Sequence, residues 1–534
     1  MFTSPYPDVD VPEQNVFDYL FGDLGDDERD RVALVDGTSG AQTTYGQLVD
    51  RIEAFAGALA ARGGEVGSVV GLLCPNSPAF AVAFHGILRA GATATTINSL
   101  YKPDEIAAQL ANAGATWLVT VSALLAGAKT AAASAGIDDA HLIVLDGADG
   151  HPSLQDLLTQ GAPAPKVTFD PATHLAVLPY SSGTTGIPKG VMLTHRNLVA
   201  NVAQTRVIIG LGPDDRVLAV LPFYHIYGMT VLLNFALKQR SSLVTMPRFD
   251  LAEFLRVISE HRATFVFIAP PIAVALAKSP LVDEYDLSTV RVVFSGAAPL
   301  DGALAATVAE RLDTTVSQGY GLTETSPVTH AIPLERDDLD RSSIGLLLPN
   351  LEARLLDPET GTDVEPPVER ESAPGELLLR GPNIMHGYLG NDAATAATLD
   401  GDGWLHTGDV ATVGLDGAFR IVDRLKELIK YKGYQVAPAV LEAVLLAHPL
   451  VTDAAVIGVA DADGQEIPKA FVVARPDAAL SADDVIAFVA ERVAPYERVR
   501  VVEFIDQIPK STAGKILRKE LRAREQGGRS LAST

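Results

Sequence analysis

Apolar positions recur along this chain with two alternating periods, and each switch marks an element. Leu48, Ile52, Phe55 and Leu59 fall at helical spacing; Thr44 with Gln47 makes a capping-box signature before them, and Gly63 closes the run. The residues 68–74 are a short β-rich run. Ser77 and Pro78 supply an N-cap and a first-turn proline for a second helix, which ends at Gly91. Strand segments at 94–97 and 116–121 enclose a helix over 103–113. Strand, helix, strand, helix, strand predicts a parallel sheet with helices packed on it. The alternation resumes with a helix from Thr194 to about Gln204, an apolar strand from Val217 ending at Pro222, and a strand at 243–246. A helix at 251–261 and strands at 264–268 and 290–294 follow.

Over 341–424 the pattern changes. Short β-like runs at 352–356, 376–380 and 419–422 alternate with Gly, Pro and Asp, and 357–374 is Pro- and acid-rich, which predicts a small antiparallel subdomain with an exposed loop. Beyond it, helices at 440–446 and 483–493 and strands at 454–459 and 470–473 predict a compact α+β unit. The fold class is therefore α/β. A large N-terminal domain, 1–424, has mixed, largely parallel sheets flanked by helices and a β-subdomain at about 341–424. An α+β C-terminal domain covers 425–534.

A chain of 534 residues is too long for one core, and 47% hydrophobic content is ample for two. The net charge of −24 argues against nucleic acid as a partner, so an anionic substrate would need a local basic patch. The single cysteine, Cys74, excludes an intrachain disulfide and a cysteine zinc site. The longest apolar region, 218–235, is interrupted by Pro222, His225 and Asn234, so it reads as core and no transmembrane segment is expected. The acidic, proline-containing opening is unlike a signal or transit peptide, the closing Leu-Ala-Ser-Thr is no recognised targeting tripeptide, and a cytoplasmic location is expected.

The densest chemistry lies at 181–190, Ser-Ser-Gly-Thr-Thr-Gly-Ile-Pro-Lys-Gly, between apolar runs at 175–180 and 191–193. Glycines let the backbone approach an anion, Ser181, Ser182, Thr184 and Thr185 add donors, and Lys189 adds a charge. The loop is not a Walker A motif, and its length and lysine favour a phosphate cradle over an ordinary hairpin. The small-residue loop at 295–299 fits either a ligand or simple loop chemistry. In the run Gln318-Gly-Tyr-Gly-Leu-Thr-Glu-Thr325, Glu324 is a partner for Mg²⁺ beside a phosphate site. Asp409 suits ribose hydroxyls. His225, among aromatic residues and with no second histidine at ligand spacing, reads as a satisfied core or gate residue rather than a metal ligand. In the basic run at 422–435, Gly433 and its β-like neighbours argue against one continuous helix. Lys515 follows Ser-Thr-Ala-Gly and suits the tip of a loop.

The cradle, Tyr320-Gly-Leu-Thr-Glu324, Gly375-Glu-Leu-Leu-Leu-Arg-Gly381, Thr407-Gly-Asp409, Asp423-Arg424 and Gly514-Lys515 occur in this order. The ordered set resembles the adenylate-forming superfamily of acyl-CoA synthetases, adenylation domains and luciferases, across nearly the whole chain. Residues 426–438 and 222–227 look most similar to its 4-coumarate/cinnamate–CoA ligase branch. The resemblance implies two steps, with ATP, Mg²⁺, CoA and a small carboxylic acid. The acid attacks the α-phosphate of ATP, giving acyl-AMP and pyrophosphate, and the CoA thiol then displaces AMP.

By motif position, the resemblance implies that Ser181, Ser182, Gly183, Thr184, Thr185 and Lys189 hold the β- and γ-phosphates. Gln318, Gly319, Tyr320 and Thr323 would line the adenine and α-phosphate region, Glu324 would help bind Mg²⁺, and Asp409 and Arg424 would hold the ribose. Lys515 would bridge carboxylate and α-phosphate. Lys426 matches the hinge about which a mobile C-terminal domain turns between steps. Lys430 and Gln435 match positions that contact the acyl-adenylate; Arg248, Lys432 and Gly433 match positions near CoA. Tyr227, Gly296, Ala297, Gly319, Gly321, Pro327 and Val328 would form the acyl pocket, with Phe294 in its wall and His225 as its gate.

Two departures bear on the acid. Phe294 stands where the plant coumarate ligases usually carry lysine, and Thr230-Val231 where they carry polar residues. An unpaired buried hydroxyl costs about 1–3 kcal/mol, so cinnamate or another apolar acid is expected to serve at least as well as 4-coumarate. Rival readings are a medium- or long-chain fatty acyl-CoA ligase, a luciferase-type oxygenase, an acyl-AMP ligase loading a carrier protein, and a non-catalytic ATP-binding scaffold.

Overall fold

The computed structural model describes residues 1–181, 188–431, 434–461, 465–476, 479–510 and 516–532. Among these, two large mixed sheets carry the N-terminal region. One runs, in spatial order, Gly387–Tyr388, Lys189–Thr194, Leu175–Val177, Thr93–Thr96, Val69–Leu72, Ala115–Thr120, Leu142–Val144. Its inner strands are parallel, whereas Lys189–Thr194 is antiparallel to both its neighbours. The other sheet is built on the parallel strands Ser242–Thr245, Arg216–Ala219, Phe265–Ile268, Val292–Ser295 and Thr315–Gly321. It turns antiparallel at Val328–Ala331. The first four of these strands are almost wholly buried, as two-sided burial requires, whereas Thr315–Gly321 is polar and half-buried at its carboxyl end.

The helices form where the local chemistry asks for them. Tyr45–Ala61 begins with the reciprocal Thr44–Gln47 capping box, Ser77 caps Pro78–Arg89, and Thr194 caps His195–Thr205. One segment has a geometry that the sequence reading left open: Tyr227–Asn234 is π-helical, with the Phe235 N–H donating to the Thr230 carbonyl.

The antiparallel sheet expected over 341–424 contains Glu352–Leu356, Gly375–Arg380, Leu405–Val413 and Phe419–Arg424. Phe2–Thr3 adds to its edge, pairing with Ala353 and Glu352, and the Phe2 ring meets Phe419 edge-on at 5.5 Å. Two short strands within the span leave this sheet: Leu346–Leu347 pairs with Val328–Ala331, and Gly387–Tyr388 with Lys189–Thr194. Such pairings join residues distant in sequence, which no local pattern encodes.

After Arg424 the backbone forms the hairpin Ile429–Tyr431 with Tyr434–Val436, not a helix, and Lys430 is in register with Gln435. A sheet of Val451–Ala460, Glu466–Ala474 and Val501–Phe504 follows, with helices Pro438–Leu446, Ala482–Ala490 and Arg518–Ala532. Val501–Phe504 went unread in the sequence because its side chains are half-buried or exposed and make no buried apolar run. The main core runs from Val16 to Phe419, and separate cores begin at Ile429. The cluster of Val410, Leu428 and Ala437 lies between them.

Candidate active site

The segment from Gln318 to Val328 organises the site. It leaves the carboxyl end of a parallel strand, where open α/β sheets hold their ligands, makes one turn of 3₁₀-helix at Thr323–Thr325, and returns antiparallel. Three groups of expected residues meet along it.

The first group surrounds Glu324. Tyr180–Ser181 pairs with Lys189–Thr194, with Ser181 opposite Lys189, so the two flanks of the expected cradle are cross-strand neighbours. Ser181 Oγ donates to Glu324 Oε1 at 3.0 Å, and Tyr388 Oη donates to the same oxygen at 2.8 Å. The ammonium of Lys189 lies 4.7 Å from the centroid of the Tyr388 ring. Ser182, Gly183, Thr184 and Thr185 lie outside the described residues. Among the described residues no cluster of three or more His, Cys, Asp or Glu could cage a metal. The single carboxylate of Glu324, bonded to Ser181 at one flank of the expected cradle, instead fits Mg²⁺, which keeps waters and substrate phosphates as its main ligands.

The second group is polar. Tyr320 Oη donates to Asp409 Oδ2 at 2.6 Å, and Arg424 Nε meets Asp409 Oδ1 at 3.2 Å. Asp409 and Arg424 are cross-strand partners, so sheet register alone brings them together. Each carboxylate oxygen has two lone pairs, so Asp409 can still accept from a diol. Burial, and then the Asp409 carboxylate, push the Tyr320 phenol well above its ordinary value, so it stays a donor.

The third group is apolar. Tyr227 Oη reaches the Phe294 carbonyl at 3.4 Å, the Tyr227 ring meets Phe267 edge-on, and Phe267 tilts against Phe294. A Cβ on Gly296 would lie 2.8 Å from the Tyr227 ring, and one on Gly319 would lie 3.0 Å from the Phe294 ring and the His330 carbonyl. Gly321 has no room for a Cβ against the Pro327 carbonyl, and Pro327 and Val328 are buried beside it. Ala297 is exposed at φ +71°. His225 is half-buried at the head of the π-helix, its Nδ1 accepting from the Tyr227 N–H at 3.3 Å. The hydroxyls of Thr230 and Ser295, on the elements that carry Tyr227 and Phe294, are buried without a hydrogen-bond partner among the described residues.

Gln318 differs from expectation. Its Oε1 accepts from the Leu300 N–H at 3.1 Å, and its Nε2 donates to the carbonyls of Leu300, at 3.1 Å, and Arg341, at 2.5 Å. The side chain is thus spent on the backbone of a neighbouring loop, and its main-chain carbonyl accepts from the Ile332 N–H at 2.9 Å. Thr323 is half-buried in the 3₁₀ turn. Arg248, Lys426 and Lys430 are exposed. Lys432, Gly433 and Lys515 lie outside the described residues, as does the side chain of Gln435.

Sequence reasoning missed Tyr388 and Phe267. Gly387-Tyr388 sits in an unremarked turn-rich stretch, and only its pairing with the strand after the cradle gives it a place in the site.

A family model described as AMP-binding enzyme matches residues 25–389, and one described as AMP-binding enzyme C-terminal domain matches residues 440–515. A relative from Oryza sativa subsp. japonica, 4-coumarate–CoA ligase 5, is 43% identical, with 99% of this chain and 98% of the relative covered. Of solved structures, ATP-bound MatB from Rhodopseudomonas palustris aligns with a TM-score of 0.86 at 31% identity, covering 96% of this chain and 98% of that one. The anthranilate CoA ligase AuaEII in complex with anthranoyl-AMP aligns with a TM-score of 0.88 at 28% identity, covering 97% and 98%.

Proposed function

Because the chain belongs to the AMP-binding enzyme family, we propose the following course for its reaction. It is an ATP-dependent, AMP-forming acid–CoA ligase acting on phenylpropanoid acids. The observation that carries the reading is the convergence of three groups on one segment: Lys189 and Ser181 with Glu324, Tyr320 with Asp409 and Arg424, and Phe294 with Tyr227 and Gly319. A phosphate site, a diol site and an aromatic slot gathered on one segment suit a nucleotide whose α-phosphate meets the carboxylate of an aryl acid.

A carboxylate is already ionised at neutral pH, so its attack on the α-phosphorus needs no strong general base. The requirement is alignment and neutralisation of charge on the phosphates. Lys189 and the hydroxyls of Ser181, Ser182, Thr184 and Thr185, with the main chain at Gly183, hold the β- and γ-phosphates. Gln318, Gly319, Tyr320 and Thr323 line the adenine and α-phosphate region. Asp409 and Arg424 hold the ribose. Glu324 holds Mg²⁺, which when bound neutralises phosphate charge. Lys515 neutralises charge between carboxylate and α-phosphate as the P–O bond to pyrophosphate breaks. The CoA thiol then forms the C–S bond and AMP leaves with the acyl C–O electrons. Lys430 and Gln435 serve this second step, and Arg248, Lys432 and Gly433 meet CoA. The residues 425–534 form a domain that turns about Lys426 between the steps. Among the described residues, no helix is long and apolar enough to cross a membrane, and we place the enzyme in the cytoplasm.

Pyrophosphate release that depends on added cinnamate or 4-coumarate tests the activity, and a scaffold would release none. Lys515→Ala should abolish acyl-AMP formation yet spare thioester formation from supplied acyl-AMP, and Lys430→Ala should do the reverse. Equal losses in both half-reactions for each variant would count against two separate faces.

The buried, apolar Phe294 supports cinnamate as a substrate at least as good as 4-coumarate. The ratio of kcat/KM values measures this. A strong preference for 4-coumarate would point instead to the unpaired hydroxyls of Thr230 and Ser295 as partners for the ring hydroxyl.

A further inference from the structure

Tyr388 touches both charged groups of the phosphate end of the site, and the fold holds it there by its backbone. Val191 is its cross-strand partner. Lys189 lies two residues before Val191, on the same face of that strand, and is therefore the diagonal neighbour of Tyr388. On either side, the Leu389 N–H donates to the Gly190 carbonyl and the His386 N–H to the Met192 carbonyl, both at 2.9 Å. The Met385 N–H donates to the carbonyl of Glu324 itself at 2.9 Å. The Tyr388 N–H is held by Thr395 Oγ1 at 2.9 Å, close against Gly387 at φ +144°, where a Cβ would strike the Thr395 side chain at 2.8 Å. The segment 385–389 is thus a strap laced to the exit strand of the cradle on one side and to the Glu324 turn on the other.

Buried between them, the ring faces the Lys189 ammonium at 4.7 Å, and the hydroxyl donates to Glu324 Oε1 at 2.8 Å. We propose that Tyr388 is a positioning residue for the ATP-consuming half-reaction, its ring seating the Lys189 ammonium and its hydroxyl fixing the Glu324 carboxylate. One side chain then sets the spacing between the cation that meets the phosphates and the carboxylate that meets Mg²⁺. It spares Glu324 the search among rotamers when the metal–nucleotide arrives. The proposal rests on the assignment of Lys189 and Glu324 to phosphate and Mg²⁺.

Tyr388→Phe and Tyr388→Leu separate the two contacts. Each full-length variant is titrated with a non-hydrolysable ATP analogue, with and without Mg²⁺, and assayed in each half-reaction. Tyr388→Phe keeps the ring, so affinity without Mg²⁺ should stay near the parent's, while the gain on adding Mg²⁺ should shrink about 5- to 10-fold. Tyr388→Leu also loses the ring, so Mg²⁺-free affinity should fall about 3- to 10-fold. Thioester formation from supplied acyl-AMP should persist in Tyr388→Phe. An unchanged Mg²⁺ response in that variant, or equal losses in both half-reactions, overturns the proposal. Lys189→Ala is the control: if it leaves analogue affinity intact, the parent assignment fails and takes the proposal with it. If it weakens binding while both Tyr388 variants bind like the parent, only the role of Tyr388 is overturned.

Discussion

At Gly296 the absence of a side chain is a contact requirement. A Cβ there would stand 2.8 Å from the Tyr227 ring, too close to be absorbed without moving it. That ring is held by Phe267 at its edge and by its hydroxyl's reach to the Phe294 carbonyl, so it has few places to go. Gly296→Ala should therefore reshape the aromatic slot and spare the nucleotide end. We expect kcat/KM for cinnamate to fall about tenfold or more, with KM for ATP near the parent value, in steady-state kinetics with each substrate varied. Gly319 faces the same constraint from Phe294, and its identity was readable from the motif. The identity of the opposing ring was not, since Phe294 and Gly319 meet only because their strands are parallel neighbours.

Among elements, the central parallel sheet depends on how its strands begin. Asp215 stands just before Arg216–Ala219. Its Oδ1 accepts from Thr264 Oγ1 at 2.7 Å and Arg291 Nε at 2.9 Å, and its Oδ2 from the Gly212 N–H at 2.8 Å and Arg291 Nη2 at 2.6 Å. One carboxylate so ties together the starts of three neighbouring strands. Burial tends to raise this carboxyl, but the bonds from Arg291, Gly212 and Thr264 outweigh it and hold it below the ordinary 3.8. A lowered folded value contributes stability that is complete above the unfolded value and is lost as pH falls through the folded one. The loss should begin near pH 4 and deepen below it. Asp215→Asn should cost about 2 kcal/mol at pH 7 and flatten that acid limb. Urea unfolding of both proteins at pH 7 and pH 3.5 checks the two effects together.

Across the whole molecule, the separate cores on either side of Lys426 imply parts that respond differently to damage. In the C-terminal part, Arg518 donates to both oxygens of Glu442, at 2.8 and 2.7 Å, with its side chain only 13% exposed. Glu442 also accepts from the Val456 N–H at 2.8 Å, so helix, strand and C-terminal helix share this carboxylate. Glu442→Ala would leave a buried guanidinium unpaired at a cost of about 3–5 kcal/mol. Calorimetry should show the lower-temperature part of unfolding moved down while the main transition holds, and ATP-analogue binding by the larger part should survive.

The sequence by itself determined the local order of this protein. Capping residues such as Thr44, Ser77 and Thr194 and the switch between helical and strand periods placed helices and strands, because their physics acts over a few residues. The ordered motifs named the chemistry, because each is a short stretch whose composition carries its own reason: glycines and hydroxyls for phosphate, a carboxylate for ribose. Only the tertiary structure decided how these stretches meet. The pairing of Phe2–Thr3 with Glu352–Leu356, the spending of Gln318 on Leu300 and Arg341, and the lacing of Tyr388 between Lys189 and Glu324 all join residues far apart in the chain. Sheet register and loop packing fix such contacts, and both are properties of the packed whole that no single segment contains.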